Sequence, residues 1–490
     1  MFGFATQSPT LQKNSALSTI FLFLLGVAGV SILTYLVTVG EVRIAITATI
    51  ALLLVMMAVI RIQVAILGLL AFIVFMGDLR RLLIPMVGWS GTDPLLLIGP
   101  TFAIAMFGYA WASRSISLDT PLSISIAALM VVMVLQMFNP RQGGLMVGVA
   151  GSLFMLIPLL WYWIGRTYAT PSFVRTLFFR VIVPLSIIAA LMGYYQTFYG
   201  YLPYQQQWYD IAGFIGLGSE GIQAPISLFA SPTEYANFLL IAMVILWGLF
   251  LEKRNPALLL LIPFLFLAVF FTGSRGPIVK FVFTAAGMWA ILANTKSQWV
   301  TRGVVAVVLG MVVVGWSLSS IGDVGGNARV QHRFQRQADG LTNPLQHSST
   351  RTHLGMMVHG LVRGVTTPLG LGLGATTKAA SKFGSGGTGS TETDIGDVFV
   401  STGLFGGILY LVIIFLTLRT VLRYWTASRS LYALCFAGIL AVVFFLWLRG
   451  GQYSTSPLVW LCVGALDSFY HQHKLAQDDS LAEPTVSSSS

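Results

Sequence analysis

The sequence predicts an all-α polytopic membrane protein with about fourteen spans, in the range of about 12–14. Three observations predict it. Of 490 residues, 56% are hydrophobic and only 9% charged, where a soluble domain carries roughly 25% charged residues. The mean hydropathy is +0.81. The apolar residues fall in runs of membrane-spanning length, and the charges collect between them. This pattern excludes a water-soluble globular enzyme, a disordered chain and a nucleic-acid-binding module. The net charge of +11 is therefore no nucleic-acid footprint, because in a membrane protein Lys and Arg gather at headgroups and orient the chain.

Read with breaks at charge and at Gly/Pro clusters, the runs are about 16–38, 43–60, 62–77, 94–112, 120–138, 145–164, 177–198, 235–251, 256–272, 277–295, 302–320, 398–418, 431–448 and 454–470. Each approaches the length needed to cross about 30 Å of hydrocarbon. In lipid the backbone must satisfy its own polar groups, so these runs are expected to be helices. The pair flanking Arg61 reads either as one long bent helix or as a tight hairpin. The first run is long, lacks a cleavage site and is followed at once by a second, unlike a signal peptide.

Short-loop charge orients the chain. With both termini cytoplasmic, inner loops hold Arg61, Arg114, Arg166, Arg175, Lys253, Arg254, Lys296, Arg302, Arg419, Arg423 and Arg429. The segment Tyr199 to Glu234 lacks Lys and Arg and is expected outside, as is the longest loop. The expected organisation is helices 1–11 over residues 1–320, a large periplasmic or extracytoplasmic loop at 321–397, helices 12–14 over 398–470, and a disordered cytoplasmic tail at 471–490. Within the large loop, Arg329 to Gln337 is basic and polar. Leu354, Met357, Val358, Leu361 and Val362 have the spacing of an amphipathic helix over Thr350 to Thr366. Pro368 with Gly370, Gly372 and Gly374 ends it. Gly384 to Gly389 (GSGGTG) has the composition of a tether.

Function is sought among charges that orientation does not explain. Arg275 lies in TGSRGP in a short outer turn, Lys280 about one turn further on, and Arg449 at the outer end of a span before Gly450 and Gly451. Arg351 and Arg363 flank the loop helix, and Arg80, Arg81 and Arg141 also fall outside. Cations held at the outer surface run against the usual bias and point to an anionic ligand. Arg suits phosphate, because its planar fork of donors matches phosphate oxygens. A lone helix-end Arg more often snorkels to headgroups. Around Arg275, however, the glycines permit close approach, and Pro277 suits the first turn of a helix whose N-terminus favours anions.

Glu392, Asp394 and Asp397 cluster before a span and are candidates to supply a general base, against the plainer role of a solvated rim. Asp397, nearest the span, is expected to cap it. Glu234, after Ser231 and Pro232, either joins the site or complements a helix dipole. His353 and His359 lie on different faces of the loop helix, with surface or packing roles favoured over a metal pair. Cys435 and Cys462 fall inside apolar runs and offer neither a disulfide framework nor metal spacing.

Four stretches together resemble the O-antigen ligase and Wzy-type polysaccharide polymerase family of bacterial inner-membrane proteins. They are SLFASPTEYANFLL (Ser227–Leu240), FTGSRGPIVKFV (Phe271–Val282), STRTHLGMMVHGLVRGVTTPLGLGLG (Ser349–Gly374) and DVFVSTGLFGGILYL (Asp397–Leu411). The resemblance implies a C-type glycosyltransferase-like helical fold. It also implies transfer of a glycan from an undecaprenyl diphosphate carrier at the outer face of the inner membrane, with no metal or other cofactor. The acceptor would be a glycan or lipid, and other polysaccharide-assembly proteins are implied partners. By position Arg275 takes the signature Arg, and Arg351 the Arg opening the loop helix.

Two departures sharpen the expectation. Where many members carry an Arg, GIQAP (Gly221–Pro225) carries Gln223. Where ligases carry a His, TETDIGD (Thr391–Asp397) carries none. A polymerase of O-antigen or exopolysaccharide repeat units is therefore expected ahead of a ligase, with Glu392 or Asp394 as base. Arg275, Arg351, Lys280, Arg363 and Arg449 would hold the diphosphate. A transporter or flippase is the alternative from another class, but it would need ionisable residues deep in several spans.

Overall fold

The computed structural model describes residues 31, 38–212, 218–219, 222–255, 257–293, 295, 297–298, 300–305, 348–384, 389–444, 446–448 and 453–482. Apart from a two-residue antiparallel ladder pairing Gly218–Ser219 with Ile222–Gln223, the regular structure among these residues is helical.

The first helices are α1 (Val42–Ile60), α2 (Ile62–Leu82), α3 (Pro94–Ala112), α4 (Pro121–Gln136), α5 (Leu145–Tyr168) and α6 (Pro171–Tyr199). After α7 (Pro203–Ala212) come α8 (Pro232–Lys253), α9 (Ala257–Phe270) and α10 (Arg275–Ala290). The last are α11 (Ser348–Thr366), α12 (Lys378–Phe383), α13 (Asp394–Ser428), α14 (Leu431–Val442) and α15 (Thr455–Ala482). Among the described residues seven helices, α1, α2, α3, α5, α6, α8 and α13, are long and apolar enough to cross a membrane; α4, α14 and Leu260–Phe270 within α9 are shorter and apolar. The expected spans at 16–38 and 302–320 and the basic segment 329–337 lie almost wholly outside the described residues.

The starts follow local chemistry. Thr120, Thr170 and Ser231 each precede a proline at the first helical position, and each accepts a backbone N–H three residues on, which pairs an otherwise orphaned donor. Arg61 is extended backbone between α1 and α2. Gly68 of α2 faces Leu54 and Met57 of α1, so the pair forms a hairpin rather than one bent helix. Proline also explains two irregularities. Leu156 breaks α5 just before Pro158, and a π-helical turn at Leu177–Ile182 precedes Pro184 in α6, because a proline has no N–H to give the preceding turn.

The core is centred on α8, where no residue from Glu234 to Leu246 is more than 3% exposed. The outer helices instead show apolar faces, with Leu53, Ile60, Phe405 and Phe415 all more than half exposed, as expected of side chains facing lipid. Helices α5 and α15 meet backbone to backbone. A Cβ at Gly165 would overlap the Leu461 carbonyl, and one at Gly464 the Tyr162 carbonyl. Small residues are what allow membrane helices to approach so closely. Gly464→Ala should therefore lower stability by about 1–3 kcal/mol, the usual cost of overpacking, seen as a lower melting temperature in detergent. An unchanged melting temperature would mean that the two helices separate without cost.

Two ends of the bundle carry polar clusters. At one, buried Asp467 accepts from Thr120 Oγ1 at 2.8 Å and Tyr162 OH at 2.6 Å. Its neighbour Arg166 also pairs with Asp119. The other end carries α7, α11 and α12 and is called the loop face below. Two expectations change here. The chain after His471 continues α15 to Ala482 instead of being disordered from 471, because Leu475 and its neighbours lack helix breakers through that stretch. Secondly, α13 begins at Asp394, four residues ahead of the expected 398, and runs on to Ser428.

Candidate functional site

The loop face is sewn together by charged side chains near the helix ends. Arg81 is 2% exposed. It donates to the Phe229 carbonyl, lies 3.6 Å from Asp78 and stacks over Trp208. Asp78 in turn accepts from Tyr204 OH at 2.8 Å and Gln205 Nε2 at 2.7 Å, and burial, with the Asp78 carboxylate beside it, pushes the Tyr204 phenol up from its ordinary pKa. Arg80 pairs with buried Asp93 at 3.2 Å and lies over Trp89. Arg43 pairs with the same carboxylate. Arg80 and Arg81, whose outer position suggested a ligand, thus have partners within the protein. Arg141 is exposed.

Glu234 is structural in the same sense. One oxygen accepts from Ser454 N and Oγ, both at 2.8 Å, and the other from Ala230 N at 3.3 Å. It fastens the start of α8 to the segment leading into α15.

The TGSRGP segment forms a compact turn. Gly273 has φ of +73°, which a residue with a Cβ would adopt only with strain. Thr272 Oγ1 accepts from Ser274 N at 3.3 Å. Ser274 is the N-cap, Arg275 the first helical residue of α10 and Pro277 the third. A Cβ at Gly276 would meet nothing within 4 Å, so the approach to this helix end is open. Arg275 and Lys280 are both half-buried.

The Pro368–Gly374 strap shows what its glycines do. Gly403 breaks α13 with φ of +73°. Leu404 N then donates to Pro368 O at 3.1 Å, across to the strap. The carbonyls of Val400 and Ser401 instead accept from Leu371 N and Gly372 N, each at 3.0 Å. Kink and strap therefore satisfy each other's backbone groups, as a buried irregular segment requires. Gln142, in the turn three residues ahead of α5, accepts from Gly374 N at 3.2 Å and fills the space beside Gly372. In the sequence these glycines read as a helix stop. Their alternate spacing, with a further glycine at Gly403, was the available signal for close backbone approach.

Above the kink, α11 lies along the first turns of α13. Gly360 faces Thr391 and Gly396, and Gly364 faces Phe399. Between them lies a cavity of about 350 Å³ lined by Met356, His359, Arg363, Ser390, Thr391 and Val400, among others. It gathers a guanidinium, an imidazole and two hydroxyls at the loop face. Of the expected diphosphate ligands it contains Arg363. Arg351 opens α11, but its side chain lies outside the described residues, as does Arg449 entirely. The cavity lining does not include Arg275, Lys280, Glu392 or Asp394.

The three carboxylates separate into distinct roles. Asp397 accepts from Ser390 Oγ at 2.8 Å, and from Thr391 N at 2.6 Å and its Oγ1 at 3.0 Å, so it braces the loop behind the cavity. The N-cap of α13 is Thr393, accepting from Gly396 N, and not Asp397 as expected; Asp397 already lies inside the first turn and turns back to the loop. Asp394 is 1% exposed and accepts from Leu448 N at 3.0 Å and Tyr410 OH at 3.3 Å. Glu392 is half-buried, with a left-handed φ of +61°. That conformation is costly for a residue with a Cβ and is often found where a side chain is held for function.

His359 is exposed, as expected of a surface residue, and also lines this cavity. Ser390 and Thr391 line it too, and their hydroxyls carry no signal of their own in the sequence. Among the described residues no three His, Cys, Asp or Glu side chains gather into a group suited to a metal ion. Neither a scan of protein-family models nor a search of curated protein sequences finds a match to this chain.

Proposed function

We propose that the protein is a metal-independent inverting glycosyltransferase that extends glycans at the outer face of a bacterial inner membrane. The donor would be an oligosaccharide on undecaprenyl diphosphate, and the product a longer O-antigen or exopolysaccharide chain. In this reading the chain has about fourteen spans, both termini are cytoplasmic and the loop face is outside. The observation that carries the reading is the loop-face cavity, which sets Arg363 and His359 against Ser390 and Thr391; Glu392 follows Thr391 in the chain and is not itself in the lining. The sequence resemblance across Ser227–Leu411 adds to it.

The chemistry assigned is a single displacement. The acceptor hydroxyl attacks the anomeric carbon, the bond from that carbon to the diphosphate oxygen breaks, and undecaprenyl diphosphate leaves with the bonding pair. Arg363, with Arg275, Arg351, Lys280 and Arg449 as further cationic candidates, would stabilise the charge that grows on the diphosphate. A carboxylate takes the acceptor proton. Glu392 suits this better than Asp394, since a base must reach its proton and Asp394 is enclosed.

Reconstitution into proteoliposomes with undecaprenyl-diphosphate oligosaccharide tests the reading. Longer lipid-linked chains are expected. Transfer to a second lipid would instead make the protein a ligase, and movement of unchanged donor between leaflets would make it a flippase.

A further inference from the structure

A second and larger cavity, of about 580 Å³, opens on the same face and has no part in the transfer proposed above. Its walls come from α2, α3, α5, α12 and the start of α15, and they are apolar along their length: Ile73, Val149, Leu153, Phe154, Ile157 and Trp161. Along α5 the lining runs from Met146 to Trp161, about 22 Å at 1.5 Å per residue. That is more than half the thickness of a hydrocarbon core of about 30 Å. The polar residues are confined to the loop-face rim. Arg80, Lys378 and Lys382 stand there against one carboxylate, Asp93, which Arg43 and Arg80 already pair. Both lysines are exposed, and Lys382 Nζ reaches across to the Gly91 carbonyl at 2.7 Å. Within the lining, Ser456 is 3% exposed and its Oγ has no hydrogen-bond partner among the described residues, a state that costs free energy unless a ligand supplies one.

We infer that this cavity binds an anionic phospholipid. One acyl chain lies along the apolar wall, the phosphate sits among Arg80, Lys378 and Lys382, and an ester oxygen takes the Ser456 hydroxyl. The size fits one chain. At about 30 Å³ of liquid volume per heavy atom, the figure for water, 580 Å³ holds about 19 heavy atoms. The second acyl chain would lie outside the cavity, along the apolar outer surface. The head group then ties α12, which follows the glycine strap directly, to the end of α2.

The test is native mass spectrometry of the full chain in neutral detergent, titrated with phosphatidylglycerol and with phosphatidylcholine. One phosphatidylglycerol per chain is expected, retained more tightly than phosphatidylcholine and not displaced by inorganic phosphate. Lys378→Gln with Lys382→Gln should weaken it about 25-fold, about fivefold for each basic residue near an anionic lipid head. The same positions changed to Arg should keep it. Val149→Trp, which fills the wall, should abolish it. If that variant fails to fold, the exposed lysine pair still decides. Equal retention of the two lipids, or no loss in the double Gln variant, overturns the inference. So does displacement of phosphatidylglycerol by an equal concentration of undecaprenyl phosphate, which would assign the cavity to the carrier. None of these readouts depends on glycosyl transfer.

Discussion

Arg363→Ala should lower glycan transfer from the lipid-linked donor by about 10²–10³-fold, the usual loss when one preorganised donor to a developing oxyanion is removed. Arg363 lines the loop-face cavity and is only half-buried, so the variant should insert and melt like the parent. Its position on α11 is fixed by Gly360 and Gly364, which let the helix rest on the first turns of α13. Arg363→Lys should recover only part of the loss, since an ammonium cannot present two parallel donors to a phosphate. Arg275→Ala, at the open end of α10, should behave in the same way if the diphosphate spans both positions. Arg141→Ala, exposed on the same face, serves as the control and should leave transfer unchanged. Chain-length analysis of lipid-linked product in proteoliposomes measures all four. Parental activity for both Arg363→Ala and Arg275→Ala would reduce these arginines to headgroup anchors.

Much of the fold is legible in the sequence because its causes are local. Ser231-Pro232, Thr170-Pro171 and Thr120-Pro121 mark helix starts locally, and α8, α6 and α4 begin there; apolarity alone starts the second of these at 177, six residues past Pro171, because polar residues interrupt the first turns of α6. The amphipathic spacing of Leu354 to Val362 marks α11 to within two residues at its start, Ser348 against Thr350. What the sequence hides are the partnerships of residues far apart. Arg81 reads as an outer cation awaiting a ligand, but it donates to Phe229, 148 positions away. Glu234 reads as a helix-dipole complement, but its strongest bonds go to Ser454, 220 positions away. The kink at Gly403 is equally non-local, since without the Leu371 and Gly372 amides the Val400 and Ser401 carbonyls would be left unpaired. The candidate site was legible in part. Arg363 is visible as a cation flanking the loop helix, while the hydroxyls of Ser390 and Thr391 enter only because Asp397 turns back to hold their loop.

Glu392→Gln and Asp394→Asn should part company, although both residues belong to one acidic cluster. A positioned general base contributes about 10²–10⁴-fold, and Glu392→Gln should cost a value in that range with the melting temperature unchanged. Glu392 is half-buried and precedes the α13 cap, beside the Ser390–Thr391 wall of the cavity. A carboxylate among cations is a weak base; the objection eases once the bound diphosphate neutralises the arginines. Asp394 has a different task. Its Oδ2 holds Leu448 N and Tyr410 OH, tying the start of α13 to the segment after α14. Asparagine keeps a carbonyl acceptor there, so Asp394→Asn should stay within tenfold of parental turnover. Asp394→Ala leaves both donors without it, at about 1–3 kcal/mol for each buried group left unpaired, and should lower the melting temperature instead. Turnover and thermal unfolding measured on the same proteoliposome preparations separate the two. If Glu392→Gln leaves turnover within tenfold of the parent, Glu392 is not the base. A matching loss in His359→Ala would then move that role to the imidazole lining the same cavity.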